Sequence, residues 1–336
     1  MATTEHPTVG VIGAGSWGTA LAILFSANNV PTLLHGNEPA VLDDIKNNRR
    51  NQRYLPDIVI PETLDLAYDF NQMDNAEILL LAVPSHAFRD VLESVRDSLP
   101  HIKRIVWATK GLEQGSNKLL HEVAHEVLSD DIQTAVLSGP TFAYEVAKGL
   151  PTAVTIASTT EAFAHQIAEL CHSDHFRAYT SNDLVGVQIS GAVKNVLAIG
   201  AGIADGLKFG ANARAALITR GLTEIIRLGI KLGAEPETFM GLAGLGDLVL
   251  TCTDDLSRNR RFGLALAKGL THDQAQQEIG QVVEGIKTAD VVYKLACQLG
   301  VSMPITEQVY GVIHGSTDPR DAVHNLFLRD LKSETE

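Results

Sequence analysis

The sequence predicts an α/β fold whose first half is a doubly wound parallel sheet and whose second half is all-helical. Three observations lead to this class. A glycine-rich turn follows a short β-branched run near the N-terminus, strand-length apolar runs then alternate with helical patterns, and helical patterns alone fill the rest of the chain. We expect one domain in residues 1–182 and a second in residues 183–336, with a cleft between them.

The composition is that of a soluble globular protein. The chain has 336 residues, of which 45% are hydrophobic and 20% charged, and its net charge is −13. This charge argues against a general nucleic-acid surface, so an anionic ligand needs a local basic pocket. Three widely spaced cysteines without metal-ligand spacing indicate reduced thiols, and the N-terminus lacks a signal-peptide pattern. We therefore expect a cytoplasmic protein.

The N-terminal turn predicts a dinucleotide site. Gly13, Gly15 and Gly18 follow a strand pattern in the order Gly-x-Gly-x-x-Gly, and a helical pattern begins directly after them. Gly13 makes the turn, Gly15 lets a diphosphate approach the backbone, and Gly18 allows the helix to pack closely on the sheet. Free N–H groups and the positive end of the helix dipole then face the diphosphate. The first half is therefore predicted to be a Rossmann-type domain.

The end of the second predicted strand, residues 31–34, bears on the choice between NADP and NAD. An acidic residue there binds the ribose hydroxyls of NAD and repels the 2′-phosphate of NADP. This chain has Asn37 near that position and its nearest acid, Glu38, one residue further on. The sequence favours NADP and leaves NAD open. The following residues 41–75 are predicted as helix and loops, and for the basic stretch 47–56 a solvated surface is favoured over a ligand role.

Apolar runs predict the remaining strands of the sheet, at residues 78–83, 104–109, 133–137, 152–157 and 176–179. Open parallel sheets bind ligands beyond the carboxyl ends of their strands. Lys110 follows one of these ends, and the small-residue turn with Gly139 and Thr141 follows another. These three residues are therefore candidates for the site.

One motif points to a different chemistry. His121 and His125 have the His-Glu-x-x-His spacing that places two imidazoles on one face of a zinc-protease helix. A separate apolar stripe along the same segment indicates an amphipathic crossover helix, with both histidines on its polar outer face. We favour the crossover helix and keep a zinc protease as an alternative.

Two isolated charges mark the second half. Lys194 is the only charged residue of residues 184–204, and Asp247 is the only carboxylate of residues 238–253. Residues 184–204 are long enough to cross a membrane, but polar residues at their centre would be costly in lipid, so we expect a buried helix. A buried ammonium needs a partner or a lowered pKa, and Asp247 is the obvious partner. A lowered pKa suits a lysine to proton transfer near neutral pH.

A local anion site follows Asp247. Ser257, Arg258 and Asn259 open a basic run in an otherwise acidic chain, and guanidinium, hydroxyl and amide donors suit a phosphate. The other helical patterns cover residues 213–232, 261–268, 285–299 and 306–311, with breaks at Pro304 and Pro319.

Taken together, these motifs resemble a known family, the bacterial-type NAD(P)-dependent glycerol-3-phosphate dehydrogenases. The resemblance covers nearly the whole chain and rests on residues 13–20, 108–113, 138–143, 191–195, 243–248, 257–260 and 283–288. It implies the reversible reduction of dihydroxyacetone phosphate to sn-glycerol 3-phosphate, which supplies the backbone of membrane phospholipids. It also implies NADP or NAD as cofactor and a homodimer.

The resemblance further implies site residues. Lys194 matches the family's proton donor and acceptor, with Lys110 and Asp247 beside it in the catalytic group. The substrate contacts are Lys110, Gly139, Thr141, Lys194, Asp247, Ser257, Arg258 and Asn259. The cofactor contacts are Gly13, Gly15, Ser16, Trp17, Gly18, Asn37, Lys110, Ala143, Arg258, Val282 and Glu284. Many relatives have a basic residue where this chain has Asn37, which weakens the case for NADP.

Other functions remain as alternatives at this point. A related Rossmann dehydrogenase acting on a hydroxy acid would not need the anion site at Ser257, Arg258 and Asn259. A nucleotide-sensing module would bind the cofactor without turnover, and an isolated buried Lys194–Asp247 pair speaks against it.

Overall fold

The structure is a computed structural model that describes residues 6–129, 131–329 and 333. One sheet contains the strands β1 (Val9–Ile12), β2 (Thr32–His35), β3 (Leu64–Ala67), β4 (Ile78–Leu81), β5 (Arg104–Trp107), β6 (Gln133–Ser138), β7 (Thr152–Ala157) and β8 (Phe176–Ser181). Their order is β3-β2-β1-β4-β5-β6-β7-β8. Strand order reverses between β1 and β4, and such a reversal opens a crevice for ligands at the carboxyl edge. The predicted doubly wound, Rossmann-type sheet is confirmed.

The sheet differs from the prediction in two places. β6 and β7 pair antiparallel, whereas all other neighbours are parallel. The helix between them, Ala143–Ala147, is only five residues long and so rises about 7.5 Å, too little to return the chain to the starting edge. The prediction of helix and loops for residues 41–75 is wrong for β3. This edge strand has four residues and an exposed Asp65, too short for a clear alternating pattern.

Helices flank both faces of the sheet. They are α1 (Ser16–Ala27), α2 (Pro39–Asn48), α3 (Phe88–Ser98), α4 (Leu120–Val127), α5 (Ala143–Ala147) and α6 (Glu161–Cys171). The turn from β1 into α1 depends on two glycines. Gly13 has a φ of +118°, and a Cβ on Gly18 would lie 1.8 Å from the carbonyl oxygen of Gly13. Gly18 thus lets α1 start directly against the end of β1.

From residue 184 onward the described chain is helical. It contains α7 (Leu184–Gly206), α8 (Gly210–Lys231), α9 (Asp247–Thr253), α10 (Arg258–Ala267), α11 (His272–Ile279), α12 (Glu284–Leu299), α13 (Pro304–Ile313) and α14 (Pro319–Phe327). Of these, α9, α11 and α14 were not predicted, because they are short and carry few periodic apolar residues. Pro304 and Pro319 are the first residues of helices, where a missing N–H costs nothing.

Helix α7 is the centre of the second half. It has the length and hydropathy of a membrane span, but 94% of its most apolar window is buried inside the protein, as expected for a core helix. It packs against α8, α9, α10 and α12. Its contact with α10 is backbone to backbone, since a Cβ on Gly202 would lie 2.0 Å from the carbonyl oxygen of Arg260 and one on Gly263 would lie 2.1 Å from that of Ile199. The two helices are therefore held in one fixed register.

The glycine turn yields a prediction with its own internal control. Gly18→Ala places a methyl group against the Gly13 carbonyl and should lower the free energy of unfolding by about 1–3 kcal/mol. Gly15→Ala meets no protein atom within 4 Å and keeps an ordinary φ of −76°, so its cost should stay below about 1 kcal/mol. Urea unfolding followed by circular dichroism measures both variants.

The Gly18→Ala and Gly15→Ala variants should also distinguish an effect on folding from an effect on cofactor binding. Gly15→Ala fills the open space above the turn and should weaken dinucleotide binding in a folded protein. Equal stability losses in the two variants would contradict this account of the turn.

Candidate active site

One cleft of about 1140 Å³ runs from the carboxyl edge of the sheet to the helical half. Most of the predicted site residues line it: Gly13, Gly15, Ser16, Trp17, Asn37, Lys110, Thr141, Ala143, Lys194, Ser257, Arg258, Asn259, Val282 and Glu284. Gly18 lies under the turn, and Gly139 contributes its carbonyl oxygen to Lys110 at 3.1 Å. Asp247 is fully buried behind the cleft wall. The structure thus brings these residues to one place, and their individual roles stay predictions.

A buried carboxylate shared by two lysines lies at the inner end of the cleft. The Nζ of Lys194 donates to Asp247 Oδ1 at 2.6 Å, and the Nζ of Lys110 donates to Asp247 Oδ2 at 2.7 Å. Thr251, one helical turn after Asp247, accepts a further bond from Lys194 at 2.8 Å. The expected contact between Lys194 and Asp247 is therefore present, and Lys110 joins it. Three distant parts of the chain meet here: the loop after β5, the middle of α7 and the start of α9.

The electrostatics of this cluster favour proton transfer. Burial lowers the pKa of Lys194 to about 8, with Asp247 opposing the shift and Lys110 adding to it. Burial alone would raise the pKa of Asp247, but the two lysines hold it below its usual value. Asp247 is thus an anion at neutral pH, while Lys194 is mainly charged there and loses its proton just above neutral pH.

Donors for an anion lie at the start of α10. Arg258 lines the cleft, and burial lowers the pKa of its guanidinium, partly offset by the nearby Glu284. The side chain of Asn259 is fixed at both ends. It donates to Asn195 Oδ1 on α7 at 2.9 Å and accepts from the N–H of Gly285 on α12 at 2.9 Å. Ser257 caps the helix by accepting from the N–H of Arg260 at 3.2 Å.

A network of charges around the buried Arg260 holds the loop that precedes α10. The guanidinium of Arg260 donates to Asp205 Oδ2 at 2.6 Å, to the carbonyl oxygen of Cys252 at 3.1 Å and to Asp255. Asp205 also accepts from Arg214 at 2.8 Å. Arg260 thereby connects the ends of α7 and α9 to the loop that delivers the anion donors.

The outer part of the cleft fits a dinucleotide. The N-terminus of α1 and the open space at Gly15 face it, as a diphosphate site requires. Trp17 lines it, and the indole N–H has no hydrogen-bond partner among the described residues. Across the cleft, Ser85 donates to Glu284 at 2.9 Å and ties the loop after β4 to α12. Burial raises the pKa of Glu284, although its bond from Ser85 opposes the shift.

The basic stretch 47–56, for which the sequence favours a solvated surface over a ligand role, contributes to the cleft near its end. Arg53 and Tyr54 line the cleft near Asn37 and Glu38. The hydroxyl of Tyr54 donates to Glu38 Oε1 at 2.8 Å, and Arg53 forms an ion pair with the same carboxylate. The sequence could not distinguish these side chains from the outward-facing ones by charge. Their position depends on how the loop that carries them packs against the glycine turn.

Comparison with known proteins gives one consistent result. The N-terminal model of the NAD-dependent glycerol-3-phosphate dehydrogenases matches residues 8–164, and the C-terminal model matches residues 183–324. The chain belongs to this family. It is 53% identical to a glycerol-3-phosphate dehydrogenase (NAD(P)+) of Pseudoalteromonas translucida, over 99% of this chain and 100% of that protein. An Aeromonas hydrophila protein of the same name is 54% identical, over 98% and 99% of the two chains.

Solved structures agree with this assignment. A glycerol-3-phosphate dehydrogenase crystal structure from Coxiella burnetii superposes with a TM-score of 0.93 at 46% identity. The match covers 97% of this chain and 100% of that one.

Membership of the glycerol-3-phosphate dehydrogenase family does not favour the zinc-protease alternative. In the structure, His121 Nδ1 is within 3.0 Å of Gln188 Nε2, and the helix carrying both histidines lies between β5 and β6. Among the residues that the structure describes, no group of three or more metal-binding side chains occurs.

The sequence did not predict several contacts of this dehydrogenase site. Thr251 bonds to Lys194 and Asn195 orients Asn259. Ser85 lies at a strand end where the sequence predicts ligand binding, but its contact with Glu284 was not predicted. Thr251 lies four residues after Asp247 and so shares its face of α9, but this helix is too short for the sequence to predict. Nothing in the local sequence around Ser85 points to a residue 199 positions away.

The Arg260 network predicts a large stability difference between two arginines of this dehydrogenase. Arg260→Met leaves Asp205 with only its more exposed partner Arg214, so the free energy of unfolding should fall by about 3 kcal/mol. Arg96→Met removes a solvent-exposed pair and should leave the denaturation midpoint unchanged. Urea titration of both variants measures the contrast. Equal midpoints would show that the network does not hold the loop.

Proposed function

We propose that the chain catalyses the reversible reduction of dihydroxyacetone phosphate to sn-glycerol 3-phosphate with NADPH or NADH, and that NADPH is the better donor. The observation that carries this proposal is the arrangement of the cleft. A dinucleotide end leads to a lysine–carboxylate centre, and the phosphate donors at the start of α10 lie beside that centre. A hydroxy-acid dehydrogenase would have no need of the donors at Arg258 and Asn259. The product supplies the backbone of membrane phospholipids.

Lys194 acts as the proton donor in the proposed mechanism. When bound, the reduced nicotinamide supplies the hydride that the ketone carbon accepts. Lys194 gives its proton to the ketone oxygen as negative charge develops there, and Lys110 adds a second positive charge beside that oxygen. Asp247 holds both lysines and offsets one of their two positive charges. In the reverse direction, neutral Lys194 takes the proton from the hydroxyl group.

Arg258 and Asn259 bind the substrate phosphate in this proposal. Asn259 is held on both sides by α7 and α12, so its position is set before substrate arrives. Gly139, Thr141 and Ser257 complete the pocket. Binding energy from the non-reacting phosphate then orients the carbonyl toward Lys194.

We further infer the organisation of the whole protein. Residues 1–182 form the cofactor domain and residues 183–336 the substrate domain, since β8 ends at Ser181 and α7 begins at Leu184. Three free cysteines support a cytoplasmic location, and the family resemblance supports a homodimer.

Loss of Lys194 should affect chemistry rather than cofactor binding. With Lys194→Ala, turnover of dihydroxyacetone phosphate, followed by NADPH and NADH fluorescence in parallel, should fall by about 10²–10⁴-fold. The dissociation constant for the cofactor should stay within about twofold of the wild-type value. Lys231→Ala, on the exposed end of α8, is the matched control and should retain full turnover. Near-normal turnover of the Lys194 variant would refute its role.

The pH profile checks the same assignment in the wild-type enzyme. Because Lys194 has a pKa of about 8, the ammonium form needed for reduction is lost as the pH rises through 8. The neutral amine needed for oxidation is lost as the pH falls through 8. The two directions should therefore show opposite pH dependence with a common midpoint.

A further inference from the structure

An ion pair lies in the cleft at the carboxyl end of β2, where dinucleotide folds place the adenosine ribose. Arg53 and Glu38 form the pair, both line the cleft, and their side chains keep 59% and 39% exposure. The guanidinium also lies over the ring of Tyr54, 5.2 Å from its centroid. Glu38 therefore has two partners, Arg53 and the Tyr54 hydroxyl at 2.8 Å.

The segment that carries Arg53 is anchored to the glycine turn. Asn51 is fully buried and donates to the carbonyl oxygen of Ala14 and to Thr19, both at 2.9 Å. The hydroxyl of Ser16, in the first turn of α1, donates to the carbonyl oxygen of Tyr54 at 3.1 Å. Arg53 thus lies between two anchored residues, and its backbone position is fixed relative to the diphosphate site.

We propose that this ion pair sets the preference between NADP and NAD: Arg53 binds the 2′-phosphate of NADP, and Glu38 opposes it. The proposal rests on the proposed function for its cofactor and names the residues that choose between the two forms. A guanidinium offers forked donors that match phosphate geometry, whereas a carboxylate repels phosphate and accepts from ribose hydroxyls.

The pair also accounts for use of both cofactors. When NADP binds, the 2′-phosphate competes with Glu38 for Arg53. Breaking the Arg53–Glu38 ion pair offsets part of the attraction between Arg53 and the phosphate. When NAD binds, Arg53 stays paired with Glu38, and the remaining lone pairs of Glu38 accept from the ribose hydroxyls. Asn37 also lines the cleft but is uncharged, so it adds no charge to the choice. The expected result is a preference for NADP that is limited by Glu38.

Calorimetric titration of the intact protein with NADP+ and NAD+ tests the assignment. Arg53→Gln should weaken NADP+ binding by about tenfold or more, because it removes a charge-assisted contact, and should change NAD+ binding by less than about twofold. Glu38→Gln should tighten NADP+ binding and weaken NAD+ binding. Adenosine 2′,5′-bisphosphate and AMP, used as probes of the ribose end alone, should reproduce the pattern for Arg53→Gln.

The matched control is Arg50→Gln. Arg50 belongs to the same basic stretch, but it donates to the carbonyl oxygen of Pro56 at 3.0 Å and does not line the cleft. It should leave both affinities unchanged. Equal weakening of NADP+ and NAD+ by Arg53→Gln, or no weakening, would overturn the role of Arg53. Weaker NADP+ binding in Glu38→Gln would overturn the role of Glu38.

These affinities are measured without substrate, so the outcome is separate from the proposed reaction. A protein that binds both cofactors with the predicted pattern but does not reduce dihydroxyacetone phosphate would contradict the proposed function alone.

Discussion

The site depends on one buried carboxylate that is shared by two lysines. Each oxygen of Asp247 takes one ammonium group, at 2.6 Å from Lys194 and 2.7 Å from Lys110. For Lys194 this partner matters most, because its side chain is only 7% exposed and burying an unpaired ammonium costs several kcal/mol. The balance is incomplete, since two cations share one anion. Burial, together with the unbalanced charge of Lys110, brings the pKa of Lys194 to about 8 and makes it useful for proton transfer.

Such a cluster requires a rigid frame, and close backbone contacts supply one. Helices α7 and α10 touch where Gly202 and Gly263 leave no room for a side chain. Lys194 and Asn195 on α7 are therefore held in fixed register with Asn259 on α10. A fixed distance between the proton donor and the phosphate donors is what allows one small substrate to reach both. The close packing of α7 on α10 therefore contributes to the stability of the protein and also positions the residues of the site.

Much of this arrangement could be predicted from the sequence because isolated residues carry strong local signals. The glycine turn defines the first strand and helix, and Lys194, the one lysine in an apolar run, indicates a buried charge. Local sequence patterns do not predict elements or contacts that depend on tertiary structure. The edge strand β3 has too few residues for a pattern, and α9 is a single short helix opened by Asp247. Arg53 resembles its solvated neighbours until the loop is folded onto the glycine turn.

The most direct test of the account is the pKa of Lys194, measured by carbon NMR of labelled lysine side chains in the wild type and in Asp247→Asn. We predict a wild-type value of about 8. The value should be lower still in the variant, because burial and the charge of Lys110 remain while the stabilising anion is gone. A wild-type value near the ordinary lysine pKa of about 10.4, or no decrease in the variant, would contradict the claim that Asp247 controls the charge of Lys194.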